Sequence, residues 1–453
     1  MIAAVALAPV AGRSAPRVLD DFESTSAWRA IPADGVQMKL SSEPGPWGHC
    51  LRVDFDFQKG GGYAVLHREL DLPLPENYRF AIRLRGATAP QNLEFKLADS
   101  TGDNVWWCNR RNFEFPAKWE TLVTKRRQIA FAWGPRGGGE LRHARAIEFA
   151  ITAGSGGKGT VWFDELSFEP LARPPATPPR PVATASSGSA GWAVDRLPGT
   201  GWTPSSTDRA PWLDLDLGYD REFGGLILTW QAAGPPRNYD VEQADARGAW
   251  RIAKSVRGAR GLRDYVVLPE REARRLRIAL RGGRPSLGEI EVKPVEWAAD
   301  PNSLVVSMAS DAPRGCFPRA FLGEQSYWTI VGAPGARSKV LLGEDGAIEV
   351  AHGTFSIEPF LGVETGLRTW ADARVTQSLR GGERPIPSVV WALDDLRLEV
   401  TAFADGEGDR APLRVRYRLR NLAARSRVVK LRLALRPYQV NPPAQFLNRA
   451  GGV

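Results

Sequence analysis

Hydrophobic and polar residues alternate along this chain with a period of two. In "CLRVDFDF" Leu51, Val53, Phe55 and Phe57 face one way, and Arg52, Asp54 and Asp56 the other. "YRFAIRLRG", "NLEFKLAD", "AIEFAI" and "TVWFDELSFE" repeat the pattern, which is that of half-buried antiparallel strands. No sustained helical period appears in this first block, about residues 18–171, so a two-sheet sandwich is predicted. A second block, about 184–296, offers "PWLDLDLG", "GLILTWQ", "YDVEQAD", "RRLRIALRG" and "LGEIEV". A third, 303–453, offers "QSYWTIVGAPG", "FSIEPFL", "IPSVVWAL" and "LRLEVTAFA". A long hairpin is then expected, "PLRVRYRLRN" turning at "LAARS" into "VVKLRLALRP". On its first arm Leu413, Val415, Tyr417 and Leu419 alternate with Arg414, Arg416, Arg418 and Arg420, a ladder that reads either as an anion site or as a solvated outer face.

The blocks are separated by a Pro-rich spacer, 172–183, and by a shorter boundary, "VEWAADPNSL". With 453 residues, 46 glycines and 35 prolines, the chain reads as several all-β domains with many turns. The hydrophobic share of 43% and the charged share of 25% are those of a folded protein. Residues 1–17 carry a short apolar run, Ile2–Ala11, followed by small residues. It reads as the back of a secretory signal or as a plain leader, is too short to span a bilayer, and no other stretch could. An extracytoplasmic protein is expected.

Net charge is +9, with ten lysines against fifty arginines, and no zinc-finger, helix-turn-helix or basic-helix pattern accompanies it. Nucleic acid is therefore not an expected partner. Cys50, Cys108 and Cys316 are isolated, which excludes a CxxC zinc site; Cys50 and Cys108 either pair or are two buried thiols. "AGSGGKGT" lacks the Ser or Thr that should follow a phosphate-loop lysine and reads as a hairpin turn. No HExxH, GxSxG or helix-opening GxGxxG is present, and the four histidines have no metal spacing. No complete active site and no catalytic residue is expected.

Aromatic residues stand out, with sixteen tryptophans. "GDNVWWCNRRNFEFP" sets Trp106 and Trp107 beside Asn104, Asn109, Arg110 and Arg111. Neighbours on a strand point to opposite faces, so one indole is expected in the core and the other on an outer face. There it would stack the apolar face of a sugar while the amides and guanidinium groups read hydroxyls. The alternative is that both are core.

The second block resembles the coagulation factor 5/8 type C, or discoidin, domain. The resemblance is carried by "ATASS", "AVDRLPGTGW", "APWLDLDLG", "YDVEQADARGAW", "YVVLPEREARRLRIAL" and "LGEIEV". It implies a jelly roll whose bacterial members commonly bind sugars through loops at one end. It also implies a structural calcium at the places of Asp195 and Glu289, although Arg196, Leu197 and Pro198 replace the usual oxygen-bearing turn. The first block, with "VLDDFES", "RRQIAFAWGP" and "GTVWFDELSFEPL", is similar to galactose-binding-like jelly rolls of the family 11 carbohydrate-binding-module kind. The third, with "YWTIVGAPG", "GTFSIEPFL" and "RPYQVNPPAQFLN", resembles the β super-sandwich that precedes a helical catalytic barrel in glycoside hydrolases and phosphorylases. That resemblance implies a truncated domain with the barrel beyond Val453. The expectation is the glycan-binding, non-catalytic front of an exported bacterial enzyme, with an oligo- or polysaccharide as partner. The rival is a complete surface adhesin.

Overall fold

The computed structural model describes residues 15–441 apart from 59, 246 and 352; the apolar run Ile2–Ala11 and the closing segment 442–453 lie outside the described residues. The chain is all-β apart from one α-helix and short 3-10 turns, and it divides into two compact units, Met1–Pro178 and Pro179–Val453.

The first unit is a sandwich of two six-stranded antiparallel sheets. Its strands are β1 (Arg17–Asp20), β2 (Arg29–Pro32), β3 (Gln37–Gly45), β4 (Gly48–Asp56), β5 (Tyr63–Pro73) and β6 (Tyr78–Ala87). They continue with β7 (Gln91–Ala98), β8 (Val105–Phe113), β9 (Glu120–Lys125), β10 (Ala130–Trp133), β11 (His143–Thr152) and β12 (Lys158–Pro170). One sheet runs β3-β4-β12-β6-β9, with β1 also on β12; the other runs β10-β8-β7-β11-β5-β2. Leu51, Val53, Phe55 and Phe57 all enter the core between them, as their alternation requires. "AGSGGKGT" is not a hairpin turn: β11 and β12 belong to opposite sheets, so it crosses from one layer to the other.

The second unit holds two sheet systems. In the first, β13 (Val182–Ala185), β14 (Trp212–Trp230), β15 (Arg237–Ala244), β16 (Trp250–Ala259), β17 (Arg263–Leu280) and β18 (Leu287–Lys293) run β13-β14-β17-β15-β16, with β18 also on β14. The long strands β14 and β17 pair throughout but shift register after Asp216, so β13 joins the first half of β14 and β18 the second. Trp202, Leu213, Leu226, Tyr239 and Ile278 fill its core.

"VEWAADPNSL" is ordered between this block and the next. Trp297 stacks on Tyr265 with ring centroids 6.3 Å apart, and Pro301–Asp311 forms helix α1. The helix signal was present in the sequence: Asp300 caps it, accepting from the Ser303 backbone N–H at 3.0 Å, and Pro301 occupies its first turn. Arg263 then reaches Asp311 across the join at 3.4 Å.

Beyond α1, two further sheets pack over Leu361, Trp391, Leu398 and Val400. One includes β19 (Trp328–Val331), β20 (Val340–Gly343), β21 (Ile348–Glu349), β22 (Ser356–Val363) and β23 (Gly366–Arg368). The other is the meander of β24 (Arg374–Arg380), β25 (Arg384–Ala392), β26 (Leu396–Ala404) and β27 (Leu413–Asn421). The expected long hairpin does not form. Its first arm, β27, pairs with β26, whereas its second, β28 (Lys430–Arg436), pairs with β22 in the facing sheet. Both arms alternate correctly, but alternation fixes a face and not a partner. On β27 the arginines face outward, with Arg414 paired to Asp405 at 2.7 Å.

Candidate functional site

Residues directly opposite in an antiparallel pair share a face, so the ladder registers of the first unit's second sheet map its outer surface. Trp107, Lys96, Glu148, His67 and Arg29 form one row across β8, β7, β11, β5 and β2. Asn109, Glu94, Ala150 and Val65 form the next. On the other side lies a row of Trp133, Val105, Ala98 and Ala146, small apart from the indole.

Trp107 and Trp133 meet edge to face, centroids 5.4 Å apart, and Trp133 remains 46% exposed. Lys96 Nζ lies 5.3 Å from the Trp133 ring centre and 3.0 Å from Glu94 Oε2. Glu94 and Lys96 are only 7% and 8% exposed although they stand on an outer face, so neighbouring side chains cover much of the pair. Thr152 donates to Glu94 at 3.3 Å, and His67 Nδ1 lies 2.8 Å from Glu148 Oε1. The result is an indole pair beside a floor of fixed charged groups.

The expected cluster is therefore split between two faces. Trp107, Asn109 and Arg111 belong to this outer surface, and the Asn109 Oδ1 is buried with no partner. Trp106 lies in the core at 3% exposure, donates from its indole N–H to the Gly139 carbonyl at 2.8 Å, and packs edge to face on Phe131. Arg110 follows Trp106 and Cys108 inward and donates to Cys108 Sγ and the Val123 carbonyl. Asn104 is buried in the preceding loop, donating to Asp99 at 2.8 Å and accepting from the Arg136 backbone N–H at 2.8 Å. Asn104, Trp106 and Arg110 therefore do not reach the surface that carries Trp107. The sequence reading missed Trp133, Lys96, Glu94, Glu148 and His67. The alternation in "NLEFKLAD" already placed Glu94 and Lys96 outward, but only the register brings Trp133 beside them.

No disulfide joins the cysteines: Cys50 is on β4 and Cys108 on β8, in opposite sheets, and both are buried. Burial pushes the Cys50 thiol up to about 11.

In the second unit Asp195 and Glu289 come together on one turn. Asp195 Oδ1 accepts from the Leu197 backbone N–H and from the Thr200 hydroxyl, both at 2.9 Å. Glu289 Oε2 accepts from the backbone N–H of Arg196 at 3.0 Å, with Arg196 held in the left-handed region at φ 62°. Burial raises the Glu289 carboxyl above its ordinary range. Calcium takes six to eight oxygens. Arg196, Leu197 and Pro198 offer no side-chain oxygen, and among the described residues no three His, Cys, Asp or Glu side chains are grouped to hold a metal. The donor set does not fit the ion.

At one end of this domain the loops 186–211, 231–236 and 281–286 meet, with Ser286 bonded to both Gln231 and Thr203 and Arg284 donating to the Asp208 carbonyl. Trp192 is exposed in the first of them. Among the described residues no helix is long and apolar enough to cross a membrane.

Residues 182–291 match the F5/8 type C domain family. No curated protein matches the chain. Among solved structures, the family 11 carbohydrate-binding module from Clostridium thermocellum, in complex with a β-1,3-1,4-mixed-linked tetrasaccharide, is 16% identical with a TM-score of 0.29; the match covers 34% of this chain and 94% of that one. A chitosan-binding module from a Paenibacillus sp. IK-5 chitosanase/glucanase is 25% identical over 25% of this chain and 94% of its own, with a TM-score of 0.23. The family 32 module from C. perfringens NanJ, in complex with galactose, is 20% identical over 25% and 93%, with a TM-score of 0.23.

Proposed function

We propose that a chain carrying an F5/8 type C domain behind this sandwich is a glycan-binding protein, and that the first unit binds its oligo- or polysaccharide on the face of Trp107 and Trp133. The observation that supports this most is the indole pair set against the Glu94–Lys96 pair on the outer face. A sugar ring has apolar CH faces and a polar rim. Stacking a CH face on an indole removes apolar surface from water at about 25 cal/mol per Å². Each hydroxyl, by contrast, exchanges water for a protein partner and returns only about 0.5–1.5 kcal/mol. Rings therefore supply affinity, and fixed groups such as Glu94, Lys96 and Asn109 supply orientation. Asp195 and Glu289 have no metal role in this reading, and the chain needs no cofactor.

The protein works outside the cytoplasm in this proposal, as the non-catalytic front of a bacterial glycoside hydrolase or phosphorylase. That placement is supported by the resemblance of the third block to a super-sandwich. A glycan array probed with the chain and with its Trp133→Ala variant tests the binding claim. Binding to a defined glycan class, lost in the variant while its melting temperature is kept, is the expected outcome. An array with no binding to any glycan, or with binding indifferent to Trp133, overturns it.

A further inference from the structure

The opposite face of the same sandwich carries a second tryptophan pair. Trp47, at the tip between β3 and β4, meets Trp119, just before β9, edge to face with centroids 5.8 Å apart. The Arg83 guanidinium lies 3.8 Å from the Trp47 ring centre, as Lys96 lies over Trp133 on the other sheet. Trp47 is 42% exposed.

The tip is built to hold its ring in place. Glu23 accepts from the His49 backbone N–H at 2.9 Å and its other oxygen lies 3.1 Å from His49 Nδ1. Gly48 stands at φ 126°, a backbone region that favours glycine, and a Cβ there would also displace the Glu23 carboxylate, which it would meet at 1.8 Å. Beside the tip runs an ordered polar row. Arg52, Trp162 and Arg85 lie side by side across β4, β12 and β6, each guanidinium over one indole at 5.5 and 4.0 Å. Glu43 ties the row together, accepting from Trp162 Nε1 at 2.7 Å and from Arg52 at 3.2 Å. Next in register, Asp54 accepts from Thr160 at 2.6 Å and opens onto a groove of about 600 Å³ whose lining includes Gln37, Lys39, Asp56 and Lys158.

We infer that this face is a second saccharide site, independent of the one at Trp107 and Trp133, and that it takes an uncharged glycan chain. Two arginines lie over Trp162, whereas Trp47 carries one, Arg83, and is 42% exposed, so stacking falls to Trp47 with Trp119 beside it, and the groove groups meet hydroxyls. Charge decides the ligand class. Arg52 is neutralised by Asp54 and Glu43, and Arg83 by Glu165. The face thus presents fixed donors and acceptors in near balance, which suits hydroxyl groups and gives a polyanion little net attraction.

The test uses affinity electrophoresis of the full chain through gels carrying β-1,3-1,4-glucan, galactan or polygalacturonate. The background is Trp107→Ala/Trp133→Ala, to which Trp47→Ala or Trp47→Ala/Trp119→Ala is added. Retardation by a neutral polymer should persist in the background double variant and fall at least tenfold when Trp47 is removed. The single Trp47→Ala change lies at an exposed tip and should melt within about 2 °C of its parent, so a loss of folding is distinguishable from a loss of binding. Retardation abolished by Trp107→Ala/Trp133→Ala alone overturns this inference and leaves the first site standing. Retardation that ignores Trp47 and Trp119 in every background, or that polygalacturonate alone produces, overturns it too. If no polymer retards even the wild type, both sites fall together.

Discussion

Adjacent tryptophans at 106 and 107 should give opposite phenotypes. Trp106→Ala empties a site in the core: the ring is almost fully buried, packs 5.3 Å from Phe131, and satisfies the Gly139 carbonyl. Truncating a core tryptophan costs about 3–5 kcal/mol, the range including partial collapse of the cavity. The stranded carbonyl adds about 1 kcal/mol if water cannot reach it. A domain of this size loses about 2–4 °C in Tm per kcal/mol, so its transition should fall by about 8–24 °C. Trp106→Phe keeps most of the packing and should recover more than half of that loss. Trp107→Ala removes a half-buried ring from the outer face and should move the transition by less than about 3 °C. Glycan affinity should drop at least tenfold in Trp107→Ala, and stay unchanged in Trp106→Phe. Differential scanning calorimetry and isothermal titration of the three variants read both quantities. Equal destabilisation by the two alanine variants, or normal binding by Trp107→Ala, would refute the assignment of faces.

Three further outcomes are expected. Millimolar calcium should leave the melting temperature of the chain within about 2 °C of its value in chelator, because the Arg196 N–H already occupies Glu289; a rise of ten degrees reversed by chelation would contradict this. Asp164 is fully buried, its Oδ2 has no partner, and burial pushes its carboxyl up to about 6. Its folded value exceeds the unfolded one, so its stabilising contribution is fully present below pH 3.8 and is lost as pH rises through about 6. Asp164→Asn should therefore match wild type at pH 3 and exceed it by up to about 3 kcal/mol at pH 7.5 in urea melts, and an equal stability difference at both pH values would contradict the assignment. Purified 1–453 should hydrolyse no aryl-glycoside; turnover lost on mutating one of its carboxylates would show an active site here.

The layers of this fold were legible in the sequence and the pairings were not. Alternation at Leu51–Phe57 and at Leu413–Arg420 reports which side of a strand is buried, because the side-chain period is two. It does not report the neighbour, so β27 and β28 read as a hairpin although they lie in facing sheets. The same limit governed the site. Alternation left two readings, one indole outward or both in the core, and Trp107 is on the outer face; its companion Trp133 lies 26 residues away on an edge strand and meets it only through the β8–β10 register. Asn104 and Arg110 looked like sugar readers because polar side chains near an indole have that chemistry. One instead holds its own loop, and the other turns inward with the strand.

The most direct measurement is isothermal titration of the chain, wild type and Trp107→Ala/Trp133→Ala, with the strongest glycan found on an array. Binding by the wild type, with an affinity at least tenfold weaker in the folded double variant, is what the glycan-binding account predicts. Absence of any heat of binding in the wild type, or identical isotherms for both proteins, would contradict it.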